Sequence, residues 1–148
     1  MPDNSNEQDW AVFIKEHYKS VPFLNFVGME VLETASGFAR LRIPMKPEYS
    51  NPYGIAHGGL TAALLDTAIG VAIRTLKLKI VTLELSTFYH KPAQLDDVLF
   101  AEGNLFRGGK TVVHGTGEIF TEKDGKRELV ASGRGIYYIK GEDDGIYK

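Results

Sequence analysis

The chain has 148 residues, no cysteine, 17 basic and 19 acidic side chains and a formal net charge of −2. A content of 43% hydrophobic and 24% charged residues fits one globular domain; the lack of cysteine excludes a disulfide scaffold, a thiolate zinc site and a cysteine nucleophile. The slight acidity argues against nucleic-acid binding, no apolar run approaches the roughly 18 residues of a membrane span, and the polar start M-P-D-N-S-N-E-Q-D is unlike a cationic leader, so the expectation is a cytoplasmic protein with no nucleic-acid or membrane partner.

Residues 1–6 have the composition of a frayed polar tail. Over residues 7–20, Trp10, Phe13, Ile14 and Tyr18, with Val21 just beyond, recur at spacings of three and four, which predicts an amphipathic helix ended by Pro22. Residues 1–22 are thus expected to be tail and helix ahead of a single domain at 23–140. Loose alternation over 28–34 and 38–44, broken at Ala35-Ser36-Gly37, predicts a β-hairpin. Residues 45–56 carry Pro47, Asn51, Pro52 and Gly54 and form a loop with a shape to keep. Residues 59–76, G-L-T-A-A-L-L-D-T-A-I-G-V-A-I-R-T-L, are rich in alanine and leucine and predict a long helix. That helix is apolar on nearly every face, as expected of one embedded in other structure, and Arg74, Lys77 and Lys79 supply cations at its C-terminal end.

Strand signals follow, over residues 80–90, 97–106, 111–121 and 128–139. Gly108-Gly109 marks one turn, and Lys123-Asp124-Gly125-Lys126 a two-residue hairpin turn. Of the neighbours Tyr137 and Tyr138, one is expected in the core and one in solvent; residues 141–148 are expected to be a loose tail. The order predicts an α+β fold, an antiparallel sheet of about six strands wrapped around one central helix.

Two features suggest chemistry. Asp66 lies in the middle of the apolar helix, where an unpaired buried carboxylate costs several kcal/mol; it either faces a solvated slot or subunit contact, or serves as a base or nucleophile. His57-Gly58-Gly59 opens the same helix, where unpaired N–H groups and partial positive charge can hold a developing oxyanion. Nine residues separate His57 from Asp66, roughly 13 Å along a helix. One acyl carbonyl cannot touch both on one chain, so a reaction using both requires sites shared across a symmetric dimer. There is no G-x-S-x-G, the four histidines lack ligand spacing, so no metal is expected, and the G-x-G pairs at 115–117 and 133–135 lack a dinucleotide-binding context and suit strands passing close to other backbone.

The run N-P-Y-G-I-A-H-G-G-L-T-A-A-L-L-D, from Asn51 to Asp66, resembles the signature of hotdog-fold acyl-CoA thioesterases, closest to the phenylacetic-acid-degradation-type subfamily and its small eukaryotic relatives. The later run V-T-L-E-L-S-T-F-Y-H-K-P-A and the G-K-T that follows it match as well. The resemblance implies a hotdog fold and hydrolysis of an aryl or medium- to long-chain acyl-CoA to free acid and coenzyme A. Asp66 is then the catalytic carboxylate and the Gly58 N–H the carbonyl-polarising donor. His57 and Asn51 hold the loop and the thioester, and Thr82 helps to place water. Tyr89, His90 and Lys91, on to Gln94, line the coenzyme A channel together with Arg107, Gly108, Gly109, Lys110 and Thr111. No cofactor is implied, coenzyme A being part of the substrate, and the chain is expected to be a homodimer or a homotetramer of two such dimers. Two other readings remain open: a hotdog dehydratase or hydratase pairing His57 with Asp66 of the facing chain, and a non-catalytic acyl-CoA binding module.

Overall fold

The computed structural model describes residues 4–145. Ahead of the sheet lie α1 (Asn4–Tyr18) and α2 (Pro22–Val27); the strands are β1 (Glu30–Ala35), β2 (Phe38–Pro44), β3 (Leu78–Tyr89), β4 (Val98–Arg107), β5 (Val112–Lys123) and β6 (Lys126–Glu142), with the long helix α3 (Gly58–Arg74) between β2 and β3. All six strands pair antiparallel in the order β1-β2-β4-β5-β6-β3. This is the expected sheet wrapped around one central helix.

The sheet curves around α3 because each surrenders bulk at the contact. Leu64, Leu65, Ala68, Ile69, Ala72 and Ile73 of α3 are fully buried. Opposite them the strands carry glycine: a Cβ on Gly103 would stand 2.2 Å from the Ala68 carbonyl oxygen, and one on Gly117 2.7 Å from Leu65 Cδ1. The β5 pair Gly115 and Gly117 therefore marks close approach to the helix, whereas in β6 a Cβ on Gly133 would meet the Ser86 carbonyl of β3 and one on Gly135 the Tyr137 ring. Asp124 and Gly125 both take positive φ, 53° and 74°, the geometry of a two-residue hairpin turn.

Pro22 ends α1's segment but also begins α2. Proline is favoured at a first helical position, where its missing N–H is not needed, and Gly28 closes this extra helix with φ 75°. The C-terminal segment corrects another expectation. β6 runs to Glu142, and Asp143 is buried, its carboxylate 2.7 Å from Arg74 Nε and its N–H bonded to the Lys77 carbonyl. The composition G-E-D-D-G is that of a loop; its partner, 69 residues earlier on α3, is invisible to local reading. Residues 1–3 and 146–148 of the two expected tails lie outside the described residues. Among the described residues no helix is long and apolar enough to cross a membrane.

β3 is the free edge beside β6, twelve residues long, with Val81 and Leu83 exposed. A long unpaired edge with apolar side chains is a template for pairing with another chain.

Candidate active site

The start of α3 is built by the loop before it. Asn51 Oδ1 accepts the N–H groups of Tyr53 at 2.9 Å and Ile55 at 3.3 Å, and the Asn51 N–H donates to the Ile55 carbonyl. This closes a tight loop and brings His57 to the helix cap. His57 donates its N–H to the Tyr49 carbonyl, and its Nδ1 accepts from the Gly59 N–H at 2.9 Å. An accepting Nδ1 leaves the proton of the neutral ring on Nε2, an outward-facing donor. Gly58 is the first helical residue, and no acceptor among the described residues takes its N–H. Its carbonyl accepts from the Tyr89 hydroxyl at 2.5 Å; burial pushes that phenol's pKa up and keeps it a donor. Asn51, Gly58, Tyr89, His90 and Lys91 line one depression of about 320 Å³. Here His90 meets Ser132, and Lys91 pairs with Glu128.

Asp66 lies two turns further along α3 and is half-buried rather than enclosed. Its Oδ1 accepts from Thr82 Oγ1 at 3.0 Å and from the Tyr137 hydroxyl at 2.9 Å. Thr82 and Tyr137 are paired residues of β3 and β6. Among the described residues no donor reaches Asp66 Oδ2. The carboxylate opens on a cleft of about 720 Å³ between α3, β3 and the α1–α2 corner, lined by Asp66, Gly70 and Arg74 of α3 with Val21, Leu24 and Val81.

Nothing in the sequence marks Tyr137 for the site. The expected split of the pair puts Tyr137 in the core, at 2% exposure against 43% for Tyr138, but which of the two is buried, and what its hydroxyl meets, depends on strand register that composition does not encode. Burial first, and then the charge and hydrogen bond of Asp66, raise its pKa well above the ordinary phenol value, so it remains protonated.

Within one chain the expected site is divided. Asp66 and Thr82 line one depression, Asn51 and Gly58 the other, and no lining residue is shared. The expected coenzyme A channel is divided as well. Arg107, Gly108, Gly109, Lys110 and Thr111 form the exposed β4–β5 connection, at the sheet end where Val112 faces Tyr138, itself paired with Val81. Tyr89 pairs with Ala131 at the other end, eight residues along β3, or about 27 Å. Among the described residues there is no group of three or more His, Cys, Asp or Glu able to hold a metal.

The sequence profile of the thioesterase superfamily matches residues 53–128, just over half of the chain. A Halobacterium salinarum protein named "Putative esterase" is 33% identical, covering 91% of this chain and 95% of that protein. Human acyl-coenzyme A thioesterase 13 is 27% identical, covering 88% and 94%. The structure of the PaaI protein of the Escherichia coli phenylacetic acid degradation operon superposes with a TM-score of 0.84 over 95% of this chain and 99% of that one; at 21% identity it establishes the shared fold.

Proposed function

The chain belongs to the thioesterase superfamily and is a thioester hydrolase; from that premise we propose that it cleaves acyl-coenzyme A to free acid and coenzyme A at sites shared by two protomers. Human acyl-coenzyme A thioesterase 13 among its relatives supports this substrate class. The observation that carries the proposal is the placement of Asp66, held at one oxygen by two hydroxyls and open at the other onto an acyl-sized cleft.

The division of the site within one chain supports a shared one. If two copies meet antiparallel along their free β3 edges, the Leu78 end of one strand lies beside the Tyr89 end of the other. A two-fold axis then sets Asp66 and Thr82 of one protomer against Gly58 of the partner subunit, and joins the 107–111 turn to the partner's Tyr89, His90 and Lys91. Such pairing also covers the exposed edge.

In this arrangement the thioester carbonyl takes a hydrogen bond from the Gly58 N–H at the helix N-terminus, where the dipole favours negative charge as it develops. His57 Nε2–H and the Asn51-tied loop hold the same end of the substrate. Asp66 either takes a proton from a water that attacks the carbonyl carbon from the other side, or attacks that carbon itself to form an anhydride that water then hydrolyses. Thr82 donates its O–H in a hydrogen bond to Asp66, leaving its lone pairs to accept from the water. The leaving thiol, with pKa near 8.5 by analogy to cysteine, departs without a general acid, so one carboxylate suffices. The cationic and polar groups Tyr89, His90, Lys91, Arg107, Lys110 and Thr111, with Gly108 and Gly109 shaping the turn, frame the phosphates of coenzyme A. The acyl chain, aryl or medium to long, lies in the cleft along α3.

The test is thiol release from acyl-CoA by Asp66→Asn. Turnover should fall by about 10²–10⁴-fold, with the circular dichroism spectrum and oligomer size unchanged. Undiminished turnover in that variant would remove Asp66 from the reaction.

A further inference from the structure

We infer that Tyr137 is the positioning residue of this site: its buried hydroxyl anchors Asp66 Oδ1 and thereby turns Oδ2 toward the substrate cleft. The inference rests on the thioesterase reading of Asp66. A carboxylate on a helix rotates freely about its last torsion unless something outside the helix fixes it. Tyr137 supplies that fixture from β6. It stands 2.9 Å from Oδ1 and 3.3 Å from the Asp66 carbonyl, neither of which carries a hydrogen, so the phenol is the donor. Thr82, the other partner, also donates to Oδ1 but is exposed to solvent. Tyr137 is locked, at 2% exposure.

Gly135, two residues earlier on the same face of β6, is part of the device. A Cβ there would lie 2.4 Å from the Tyr137 ring at Cε2 and 2.6 Å from its hydroxyl. The ring reaches Asp66 through space that any side chain at 135 would fill. Burial keeps the phenol protonated, so it donates throughout the working pH range. With both hydroxyls on Oδ1, Oδ2 is the oxygen left to meet water or substrate.

The experiment compares wild type, Tyr137→Phe, Gly135→Ala and Asp66→Asn in the full chain. Tyr137→Phe deletes one oxygen and keeps the ring. Its kcat should fall by about tenfold to a hundredfold, as for the loss of a hydrogen bond to a charged group, with KM unchanged. The acid limb of its kcat profile should move to higher pH, because a donor to the ionised form is gone, while the melting temperature stays near that of wild type. Gly135→Ala keeps the hydroxyl but crowds the ring, and should change kcat and the acid limb in the same direction. A Tyr137→Phe enzyme with wild-type kcat and acid limb, or one whose loss of rate merely tracks loss of folded protein, overturns the inference. If Asp66→Asn is inactive in that same experiment, only the role of Tyr137 has failed; if Asp66→Asn is fully active, the reading of the site has failed with it.

Discussion

Thr82 on β3 and Tyr137 on β6 face one another across the sheet, and both place a hydroxyl on the same oxygen of Asp66. Cross-strand neighbours have Cβ atoms only about 5 Å apart, so a single atom of α3 can lie within reach of both. The β3–β6 register shifts between Thr82 and Glu84, directly after the pair. Such a bulge re-aims side chains and is common beside active sites. The member of the pair open to solvent is Thr82, and the enclosed one is Tyr137.

That asymmetry gives Thr82 a role of its own. Thr82→Val keeps the shape and removes the hydroxyl that bridges Asp66 to water. Its kcat should drop by about tenfold, while Thr82→Ser should restore most of the rate. Acyl-CoA hydrolysis followed by free thiol checks both, and equal rates in the Thr82→Val and Thr82→Ser enzymes would show that the hydroxyl is not used.

Gly70 lies one turn after Asp66 and one turn before Arg74 on the cleft face of α3, and nothing stands within 4 Å of a Cβ added there. Gly70→Ala should therefore stabilise the fold by about 0.5–1 kcal/mol, the usual gain of alanine over glycine inside a helix. Gly70→Leu should fill the cleft. Each methylene kept out of an apolar site costs about 0.8 kcal/mol, so excluding two or more lowers kcat/KM for long acyl chains by about tenfold while short chains are spared. Chain-length profiles of the three enzymes, with thermal melts, measure both effects.

The fold was legible where periodicity and turn chemistry agree. The alanine-rich run around Asp66, the alternation of β3 to β6 and the Asp124-Gly125 turn each state their structure locally. α2 was hidden because Pro22 ends one helix and starts another with the same residue. Asp143 was hidden because its burial depends on Arg74, far away in sequence. The candidate site shows the same contrast. Asp66, His57 and Gly58 are chemical signals in one run, and their separation along a single helix requires two chains if all of them serve one reaction. Tyr137 carries no such signal; only the register that sets it opposite Thr82 gives its hydroxyl a target.

Stability should depend on pH through Asp97. Burial opposes its ionisation, but hydrogen bonds from Lys123 and the Gln94 N–H, with the charges of Lys123 and Lys91, outweigh that and hold its carboxyl below the usual carboxylate range. A carboxylate that ionises more readily folded than unfolded stabilises the fold above its unfolded value, about 3.9. That contribution is lost as pH falls through the lower folded value. Asp97→Asn should therefore melt below wild type at neutral pH, and the gap should close as pH drops below about 4. The gap at neutral pH should be small, because Lys123 is largely exposed. Melting curves from pH 7 downward check the sign; a gap that widens in acid would contradict it.

If two protomers share the site, as proposed, mixing two variants gives an outcome that neither gives alone. Asp66→Asn removes the carboxylate and leaves the helix start intact. Gly58→Pro removes the proposed oxyanion donor and should keep the helix, since proline suits a first helical position. His57 before it is already extended, at φ −62° and ψ 130°, as a residue preceding proline must be. A Cβ at 58 would sit 3.3 Å from the Tyr89 hydroxyl, a contact that a small shift relieves. Each variant alone should be nearly inactive. When the two are co-expressed and assort at random, half of the dimers pair one of each, and each of those holds one site with both Asp66 and Gly58 intact and one site with neither. About a quarter of wild-type activity should return if the two-fold axis builds the site from both chains. If Asp66 worked with a Gly58 of its own chain, every protomer in the mixture would still lack one of the two groups, and mixing would recover nothing.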